Sequence, residues 1–310
     1  MNLSKSKLII LVAAILSACT TNPPEHQVLV APSTSHIIYV DGLKKVLAHD
    51  SIVLIDIRKS EEYQLGHLPG AINIYRPDIQ NDSLPYSGMM TSKIKMEKLF
   101  SDKGIGNDDY LVLYDDNGSC DAARLWWVLD YYGFQKTALL DGGIKQWIKN
   151  DSLSQDPPKR SKTQFTFPNN MVTDRHISLE ELNSASADSS LVIIDSRTPE
   201  EYSGGHLKNG AFDQGRIPGS VNIDWTEAIN YDAGTFKNKD EIKAIYAAKG
   251  IDSTTNVVVY CHSGVRSSHT TFVLTELLGY KNVKNYDGSW IEWSYHKMPL
   301  ERSETAQVIN

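Results

Sequence analysis

Cys261 follows a run typical of a buried strand and precedes a run typical of a helix. Residues 257–260 are apolar and mostly β-branched, and a short polar loop with Gly264 comes after the cysteine. A serine pair at 267–268 then leads into an apolar segment that Gly279 ends. This order predicts a strand, a tight loop and a helix. We therefore expect the thiol over a helix N-terminus, where unpaired backbone N–H groups favour an anion.

A thiol in this place becomes a nucleophile only if its anion is stabilised. A free cysteine has a pKa of ~8.5, so only a few per cent is thiolate at neutral pH. Lowering that pKa by about two units requires roughly 2.7 kcal/mol. A helix terminus supplies about 0.3–1 kcal/mol when exposed and ~2 kcal/mol when partly buried. The remainder must come from loop N–H groups and the Arg266 cation, and the alternative is an inert buried thiol.

The elements that would position this loop occur twice in the chain. Residues 54–58 match 193–197, residues 66–74 match 215–223, residues 112–114 match 258–260, and residues 141–143 match 287–289. In each copy short apolar strands alternate with helical stretches, which predicts a parallel sheet covered by helices on both faces. Sites in such sheets form at the carboxyl ends of strands, where Cys261 is expected.

The first copy lacks the nucleophile. Asp115 stands where the second copy has Cys261, although Gly118 keeps the offset of Gly264. A carboxylate cannot carry a transferred sulfur atom, so the first copy is expected to be catalytically inactive and to form one wall of the cleft. Cys120 is expected beyond the turn or in the first helical turn. With so few cysteines in the chain, disulfide stabilisation is not expected.

The segment 261–268, Cys-His-Ser-Gly-Val-Arg-Ser-Ser, resembles the active loop of the rhodanese-type sulfurtransferases. Residues 285–293 resemble the closing segment of their tandem-domain members, and the resemblance covers residues 35–302. It implies two tandem α/β domains, each a parallel sheet flanked by helices, and a catalytic Cys261 that carries sulfur as a persulfide. The resemblance also implies that Arg266 and Gly264 in this loop, and Arg197 in another loop, bind substrate. His262, Ser263 and Val265 are the other residues of the active loop.

Two of these positions leave alternatives open. Arg197 either binds the anionic part of the donor or pairs with Asp195 inside its own loop, as the repetition of both residues in the first copy suggests. His262 follows the nucleophile directly, and adjacent residues in such a loop rarely aim side chains at each other. We therefore interpret His262 as a rim residue, and we interpret Glu201 and Trp290 as packing residues.

The resemblance implies transfer of a sulfane sulfur from a small anionic donor to cyanide or a thiol. The loop shares Ser263-Gly264-Val265 with 3-mercaptopyruvate enzymes and the Arg-Ser-Ser of residues 266–268 with thiosulfate enzymes. An added cation favours a compact dianion over a monoanionic keto acid, so we expect thiosulfate, with 3-mercaptopyruvate as the alternative. A non-enzymatic persulfide-binding module is a further alternative. A phosphatase is disfavoured because the loop between Cys261 and Arg266 is one residue shorter than in cysteine-dependent phosphatases.

The N-terminal residues predict export and a lipid anchor. Lys5 and Lys7 precede an apolar stretch at residues 8–16, which is too short to span ~30 Å of hydrocarbon as a helix. Residues 16–19, Leu-Ser-Ala-Cys, match a bacterial lipobox, so Cys19 is expected to be lipidated; an ordinary signal peptide is the alternative. The prediction is a protein anchored to a membrane of the bacterial cell envelope, on the periplasmic side or at the outer membrane.

The remaining boundaries follow from the repeat and from composition. We predict a lipoprotein signal peptide at 1–18, a tether at 19–34, an inactive rhodanese-like domain at 35–150, a linker at 151–172, a catalytic domain at 173–302 and a tail at 303–310. Residues 203–214 are an insertion in the second copy without an assigned function, and we expect them in a surface loop that lines the cleft.

Charge and motif content exclude several classes of partner. The 310 residues carry a net charge of −7, which argues against binding to nucleic acid. The sequence has no C-x-x-C or H-E-x-x-H motif and no glycine-rich dinucleotide or phosphate loop, so neither a metal nor another cofactor is expected. A monomer is expected, with the small anionic sulfur donor and a thiol or cyanide acceptor as its partners.

Overall fold

A computed structural model of the protein describes residues 36–186 and 188–303. The first copy of the repeat contains a five-stranded sheet in the order β1-β5-β4-β2-β3, with every pair of neighbours parallel. Its strands are β1 (Ile37–Ile38), β2 (Ile52–Asp56), β3 (Ile72–Asn73), β4 (Tyr110–Tyr114) and β5 (Thr137–Leu140). Its helices are α1 (Val40–Val46), α2 (Ser60–Leu65), α3 (Lys93–Asp102), α4 (Cys120–Tyr131) and α5 (Gly143–Trp147).

The second copy repeats this order in a parallel sheet, β6-β12-β11-β7-β8. Its strands are β6 (His176–Ile177), β7 (Leu191–Asp195), β8 (Val221–Asn222), β11 (Asn256–Tyr260) and β12 (Val283–Tyr286), and a separate antiparallel pair consists of β9 (Ile229–Asn230) and β10 (Thr235–Phe236). Its helices are α6 (Leu179–Ala185), α7 (Pro199–Ser203), α8 (Lys239–Ala247), α9 (Val265–Phe272) and α10 (Ser289–Tyr295). The predicted fold class, two α/β domains with parallel sheets flanked by helices, is confirmed.

The strand register brings the chemistry-bearing residues to one edge of the second sheet. Asp195 at the end of β7 pairs with Tyr260 at the end of β11, and Cys261 follows directly. The first sheet has the same register, with Asp56 opposite Tyr114. Parallel strands place all their carboxyl ends on one side, so each copy presents its loop at an equivalent position.

The two copies share one continuous hydrophobic core. Helices α4 and α9, which follow the two equivalent loops, pack against each other. The ring of Trp126 on α4 meets Phe272 on α9 edge to face, with 4.9 Å between ring centroids. Aromatic pairs in this arrangement contribute beyond their buried area, by about 0.5–1.5 kcal/mol. The same packing places the start of both helices beside one cavity, which is described below.

The segment predicted as a linker, residues 151–172, packs along the first copy. Arg160 forms an ion pair with Asp109, with 2.5 Å between Nη2 and Oδ2. Phe165 is buried against Phe100, with ring centroids 5.0 Å apart. These contacts tie the connection to the surface of the first sheet's helices, so it contributes to the core and is more than a spacer.

The predicted signal peptide, Cys19 and the tether lie outside the described residues, as does most of the tail. Within the part of the chain that the structure describes, none of the helices is long and apolar enough to cross a membrane.

Candidate active site

The loop after β11 holds Cys261 at the carboxyl end of the sheet. The strand is buried on both faces, Cys261 is 1% exposed, and Gly264 turns the chain with a φ of 79° before α9 begins at Val265. A side chain at position 264 would strain this left-handed backbone. Its Cβ would also lie 2.7 Å from a carboxylate oxygen of Asp287. Glycine is therefore required for the turn that sets the thiol over the start of α9.

The surroundings of Cys261 favour its thiolate. Burial alone would raise the pKa of the thiol, but the Arg266 cation, the Ser267 hydroxyl and the backbone N–H groups of Ser267 and Ser263 together hold the pKa below its usual value. The Ser267 hydroxyl has no oxygen or nitrogen partner among the described residues. Its dipole is thus available to the sulfur. A buried thiolate of this kind is a nucleophile that water does not screen.

Ser289 fixes the shape of the loop. Its hydroxyl accepts hydrogen bonds from the N–H groups of Cys261 at 3.0 Å and Gly264 at 3.1 Å, and it donates to the carbonyl of Tyr286 at 2.9 Å. The Gly264 N–H is therefore already bonded and is not free for a substrate. In the structure Gly264 contributes the left-handed turn and the anchor to Ser289, and its expected contact with substrate stays a prediction.

Arg266 lies close enough to the Cys261 thiol to lower its pKa, and it also forms an ion pair with Glu201. Its two terminal nitrogens donate to the oxygens of Glu201 at 2.6 and 2.9 Å. This pairing outweighs burial and lowers the pKa of Glu201 to about 2, so both groups are charged. Glu201 is 3% exposed and is the partner of Arg266, not a packing residue as the sequence interpretation had it. The pair orients the guanidinium towards the cavity but also offsets part of its charge.

Arg197 lies away from the cavity. Its Nε and Nη2 donate to the Asp195 carboxylate at 2.9 and 2.6 Å, and Nη2 also donates to the carbonyl of Gly215 at 2.7 Å. The guanidinium lies 4.7 Å from the ring centroid of Trp290, and the residue is 2% exposed. The two alternatives for Arg197 were donor binding and a pair with Asp195. The structure shows the pair, since the Asp195 carboxylate at the end of β7 binds the guanidinium directly. Arg58 makes the same pair with Asp56 in the first copy.

Cys261 opens into a cavity of about 270 Å³ between the two copies. The first copy contributes Arg76, Asn117, Cys120 and Asp121, which confirms that it forms one wall. The second copy contributes Lys208, Trp225, Cys261, His262, Ser263, Val265 and Arg266. The insertion at 203–214 thus reaches the site through Lys208, in agreement with its expected place beside the cleft.

A larger depression of about 470 Å³ lies at the opposite, amino ends of β7, β11 and β12. Lysine, aspartate and asparagine side chains line it together with strand residues, and no thiol is present there. Ligands of parallel α/β sheets bind at the carboxyl ends of the strands, so the smaller cavity at Cys261 is the candidate active site.

The cavity carries cations that have no carboxylate partner. Arg76 donates from Nη2 to the hydroxyl of Ser263 at 2.8 Å, and its buried Nε has no hydrogen-bond partner among the described residues. Lys208 is an exposed residue of the insertion, yet its pKa is lowered by partial burial of the ammonium and by the charges of Arg266 and Arg76. Neither Arg76 nor Lys208 forms an ion pair within residues 36–186 and 188–303. These two cations can therefore bind an anion, although the carboxylates of Asp121 and Glu201 interact electrostatically with Arg76 and Lys208 respectively.

His262 is part of the cavity wall. It is 7% exposed, which is more buried than a rim position implies, and its Nε2 lies 3.1 Å from the carbonyl oxygen of Asn209 in the insertion. Burial and the Lys208 charge lower the pKa of His262 to about 4. The imidazole is therefore neutral near pH 7 and adds no cation to the site.

In the equivalent loop of the first copy, the Asp115 side chain already binds the backbone N–H groups. The carboxylate of Asp115 accepts four backbone hydrogen bonds of 2.9–3.0 Å, and the donors are the N–H groups of Asn117, Ser119, Asp121 and Ala122. Burial nevertheless raises the pKa of Asp115 to about 6. No cradle for an external anion remains in this loop, so the first copy contributes to the cavity through other side chains.

A buried ion pair joins the two copies beneath the loop that holds Cys261. Nη1 of Arg124 on α4 lies 2.5 Å from Oδ1 of Asp287, and both side chains are at most 1% exposed. Oδ2 of Asp287 accepts the N–H of Met90 at 2.9 Å, and Nη2 of Arg124 donates to the carbonyl of Gly88 at 2.9 Å. These bonds fix the segment around Gly88 against Ser263, and they fix the floor of the turn at Gly264.

Four functional residues of this site were not predicted from the sequence. They are Ser289, Glu201, Arg76 and Lys208. Ser289 could have been noticed in the sequence, because it is where the second copy differs from the Asp-Gly-Gly of residues 141–143. In the structure a side chain at Gly143 would collide with the Asp115 carbonyl, so the first copy cannot have a serine there. The other three come from distant segments, and no local pattern marks them. Within residues 36–186 and 188–303 no cluster of three or more potential metal ligands occurs.

Comparison with known proteins gives the same picture over most of the chain. Residues 40–150 and 178–296 each match the family of the Rhodanese-like domain. A Mycobacterium bovis protein named "Putative thiosulfate sulfurtransferase 1" is 37% identical over 266 residues, which cover 83% of this chain and 94% of that protein. A Saccharopolyspora erythraea protein named "Putative thiosulfate sulfurtransferase" is 36% identical over 282 residues, covering 86% and 96%.

Among solved structures, the chain is similar to SseA of Escherichia coli, a 3-mercaptopyruvate sulfurtransferase. The TM-score is 0.73 at 26% identity, and the match covers 83% of this chain and 99% of SseA. The similarity therefore extends through both copies of the repeat.

Proposed function

This chain belongs to the rhodanese family as a two-domain member, and we propose that it is a sulfurtransferase whose sulfur donor is thiosulfate. The observation that carries this proposal is the buried thiol of Cys261, whose anion is stabilised by Arg266 and loop N–H groups in a cavity with two unpaired cations. Such a site combines a soft nucleophile with a cationic pocket. It suits a donor that is both an anion and a carrier of sulfane sulfur.

The reaction proceeds by double displacement. The Cys261 thiolate attacks the outer sulfur of thiosulfate, the sulfur–sulfur bond of the donor breaks, and sulfite leaves with the bonding electron pair. Cys261 then carries a persulfide, whose terminal anion is stabilised by the loop N–H groups and Arg266. Cyanide or a small thiolate attacks that terminal sulfur, and the Cys261 thiolate is restored as thiocyanate or a new persulfide departs.

Thiosulfate is favoured by the charge of the cavity, but through different residues from those expected. Arg197 forms an ion pair with Asp195 away from the cavity, and the ion pair of Arg266 with Glu201 offsets part of the Arg266 charge. Arg76 and Lys208 remain, and each would attract a dianion more strongly than a monoanionic keto acid. At ~4 Å and an effective dielectric of 20, a unit charge pair contributes about 4 kcal/mol before desolvation. If a quarter of this survives, the preference for the dianion is about fivefold.

3-Mercaptopyruvate is the second candidate donor. The similarity to SseA and the loop sequence Ser263-Gly264-Val265 favour it. Arg76 donates to the Ser263 hydroxyl oxygen, so the O–H of Ser263 can still donate to a keto acid. We place thiosulfate first because of the charge of the cavity, to which Arg76 and Lys208 contribute.

Steady-state sulfur transfer to cyanide tests the proposal. We expect kcat/KM for thiosulfate to exceed that for 3-mercaptopyruvate by about fivefold or more. Lys208→Ala should lower kcat/KM for thiosulfate more than for 3-mercaptopyruvate. Lys239→Ala, at an exposed position of α8, is the matched control and should change neither. A higher kcat/KM for 3-mercaptopyruvate would overturn the choice of donor, and a persulfide without turnover would indicate a binding module.

We also propose that Cys19 carries a lipid that anchors the protein to the cell envelope. The lipobox at residues 16–19 supports this proposal. Wild-type protein expressed in its bacterial host should enter the detergent phase on phase partitioning, and Cys19→Ala should not. Wild-type protein found wholly in the aqueous phase would leave only an ordinary signal peptide.

A further inference from the structure

The cavity beside the catalytic loop contains two thiols. Cys120 of the first copy and Cys261 of the second both line it, and neither forms a disulfide in the structure. We propose that Cys120 is a resolving thiol, which attacks the inner sulfur of the Cys261 persulfide, releases hydrogen sulfide and leaves a Cys120–Cys261 disulfide. This inference rests on persulfide formation at Cys261, but it does not depend on which donor supplies the sulfur.

The local backbone sets Cys120 at the cavity. It is the first residue of α4, and α4 packs against α9, which begins four residues after Cys261. Two successive residues before it, Gly118 and Ser119, have left-handed backbones with φ of 62° and 66°. Ser119 is a buried non-glycine residue in a conformation that L-residues rarely adopt, which is common at functional sites.

The second copy shows what this irregular turn does. There a single left-handed residue, Gly264, precedes the helix, and α9 begins directly at Val265. In the first copy the extra left-handed residue delays the helix by one position. Cys120 thereby becomes the first helical residue, and in the alignment of the two copies it matches Arg266. The position that carries a cation in one loop thus carries a thiol in the other, and both face the same cavity.

The electrostatic surroundings give the two thiols different roles. Burial and the negative charges of Asp121, Asp115 and Cys261 raise the pKa of Cys120 well above its usual value. Cys120 therefore stays protonated while Cys261 is the thiolate, and it does not compete for the donor. The same proton can pass to the terminal sulfur once a persulfide is present.

The resolving step balances without an external oxidant. Cys120 transfers its proton to the terminal persulfide sulfur and becomes a thiolate. That thiolate bonds to the Sγ of Cys261, the bond from this Sγ to the terminal sulfur breaks, and hydrosulfide leaves. The terminal sulfur gains two electrons, and each cysteine sulfur loses one. A small dithiol reductant then returns the disulfide to two thiols and completes a cycle that produces sulfide.

The test uses the full chain with Cys19→Ser, so that Cys120 and Cys261 are the remaining thiols. The protein is loaded anaerobically with inorganic polysulfide and desalted, and free sulfide and intact mass are followed over time. We expect one equivalent of sulfide and a final mass about 2 Da below the reduced protein, with a cross-linked peptide that contains both cysteines. Adding Cys120→Ser should leave a persulfide, about 32 Da heavier, that releases sulfide at least about tenfold more slowly.

Controls separate this inference from the proposed function. Thermal unfolding of the Cys120→Ser and Cys120→Ala variants checks that the fold is retained. Failure of thiosulfate to load Cys261 would count against the proposed donor, whereas loading by polysulfide tests the resolving step independently. Equal persulfide lifetimes with and without Cys120, or sulfide release without the cross-linked peptide, would overturn the role of Cys120.

Discussion

The loops after β4 and β11 present the same backbone cradle to two different anions. In the first, the N–H groups two and six residues after Asp115 bond to its own carboxylate. In the second, the N–H groups at the same offsets, those of Ser263 and Ser267, stabilise the thiolate of Cys261. The backbone therefore determines that an anion sits here. The side chain at one position determines whether that anion can react.

The two copies therefore contribute different groups to the cavity. In the first copy the Asp115 carboxylate, which cannot carry sulfur, occupies the backbone N–H groups of the loop. The same copy contributes Arg76, Cys120 and Asp121 to the cavity at Cys261. The second copy has the thiol of Cys261 and adds the Arg266–Glu201 pair. Neither loop alone forms the site, because the cations that have no partner come from a segment of the first copy and from the insertion of the second.

Converting the second loop into the first should give the largest effect. Cys261→Asp supplies a carboxylate to the same N–H groups, so the fold should be retained while sulfur transfer falls by at least about a thousandfold. Activity with cyanide as acceptor and thermal unfolding are the two measurements. Cys261→Ser is the control that removes the thiol without adding a charge. Transfer that survives in Cys261→Asp would mean that the nucleophile lies elsewhere.

The next effect concerns the floor of the two loops, where Asp287 pairs with a buried cation and its counterpart Asp141 accepts the backbone N–H groups of Phe236 and Gly142. Arg124→Ala leaves a carboxylate buried without its partner, so the free energy of unfolding should fall by about 3–5 kcal/mol. Urea denaturation measures it. The control is Arg175→Ala, which breaks a more exposed cluster and should cost less. Equal losses in both variants would show that burial does not distinguish the two pairs.

The cation that only the second loop has should control the reactivity of its thiol. Arg266→Ala removes the positive charge and leaves Glu201 near the sulfur, so the pKa of Cys261 should rise and kcat/KM at neutral pH should fall roughly tenfold or more. The pH profile of alkylation by iodoacetamide should move to higher pH. Glu201→Gln combined with Arg266→Ala removes both charges and should restore part of the shift. An unmoved profile would exclude Arg266 from the control of the thiol.

The smallest effect is a pH dependence of stability that belongs to the first loop. The pKa of Asp115 is raised to about 6 in the folded protein, against ~3.9 in an unfolded chain, so the folded state binds more protons between these values. The stability of the wild type relative to Asp115→Asn should therefore be greatest below pH ~4 and fall as the pH rises through about 6. Urea denaturation of both proteins across this range measures the difference. A difference that is independent of pH would contradict the raised pKa.

Local sequence was sufficient for much of the fold and for the position of the candidate nucleophile. The apolar run before Cys261, the glycine at 264 and the helical pattern beyond it act within a few residues, so they predict strand, turn and helix directly. The repeat predicted two parallel sheets, and the replacement of Cys261 by Asp115 in the first copy predicted which loop can carry sulfur. The pattern was less accurate at the helix start, which lies at Val265, ahead of the serine pair.

The tertiary structure was needed to show which cations lie beside the Cys261 sulfur and which form ion pairs away from the cavity. Both Arg197 and Arg266 were expected at the substrate, with a pair to Asp195 as the alternative for Arg197; in the structure Asp195 holds the first away from the cavity, while Glu201 holds the second beside it. Arg76, Lys208 and Cys120 lie far from Cys261 along the chain and meet it only because α4 packs on α9 and the insertion folds over the loop. Electrostatic interactions depend on distance through space and on burial, and neither quantity can be obtained from spacing along the chain.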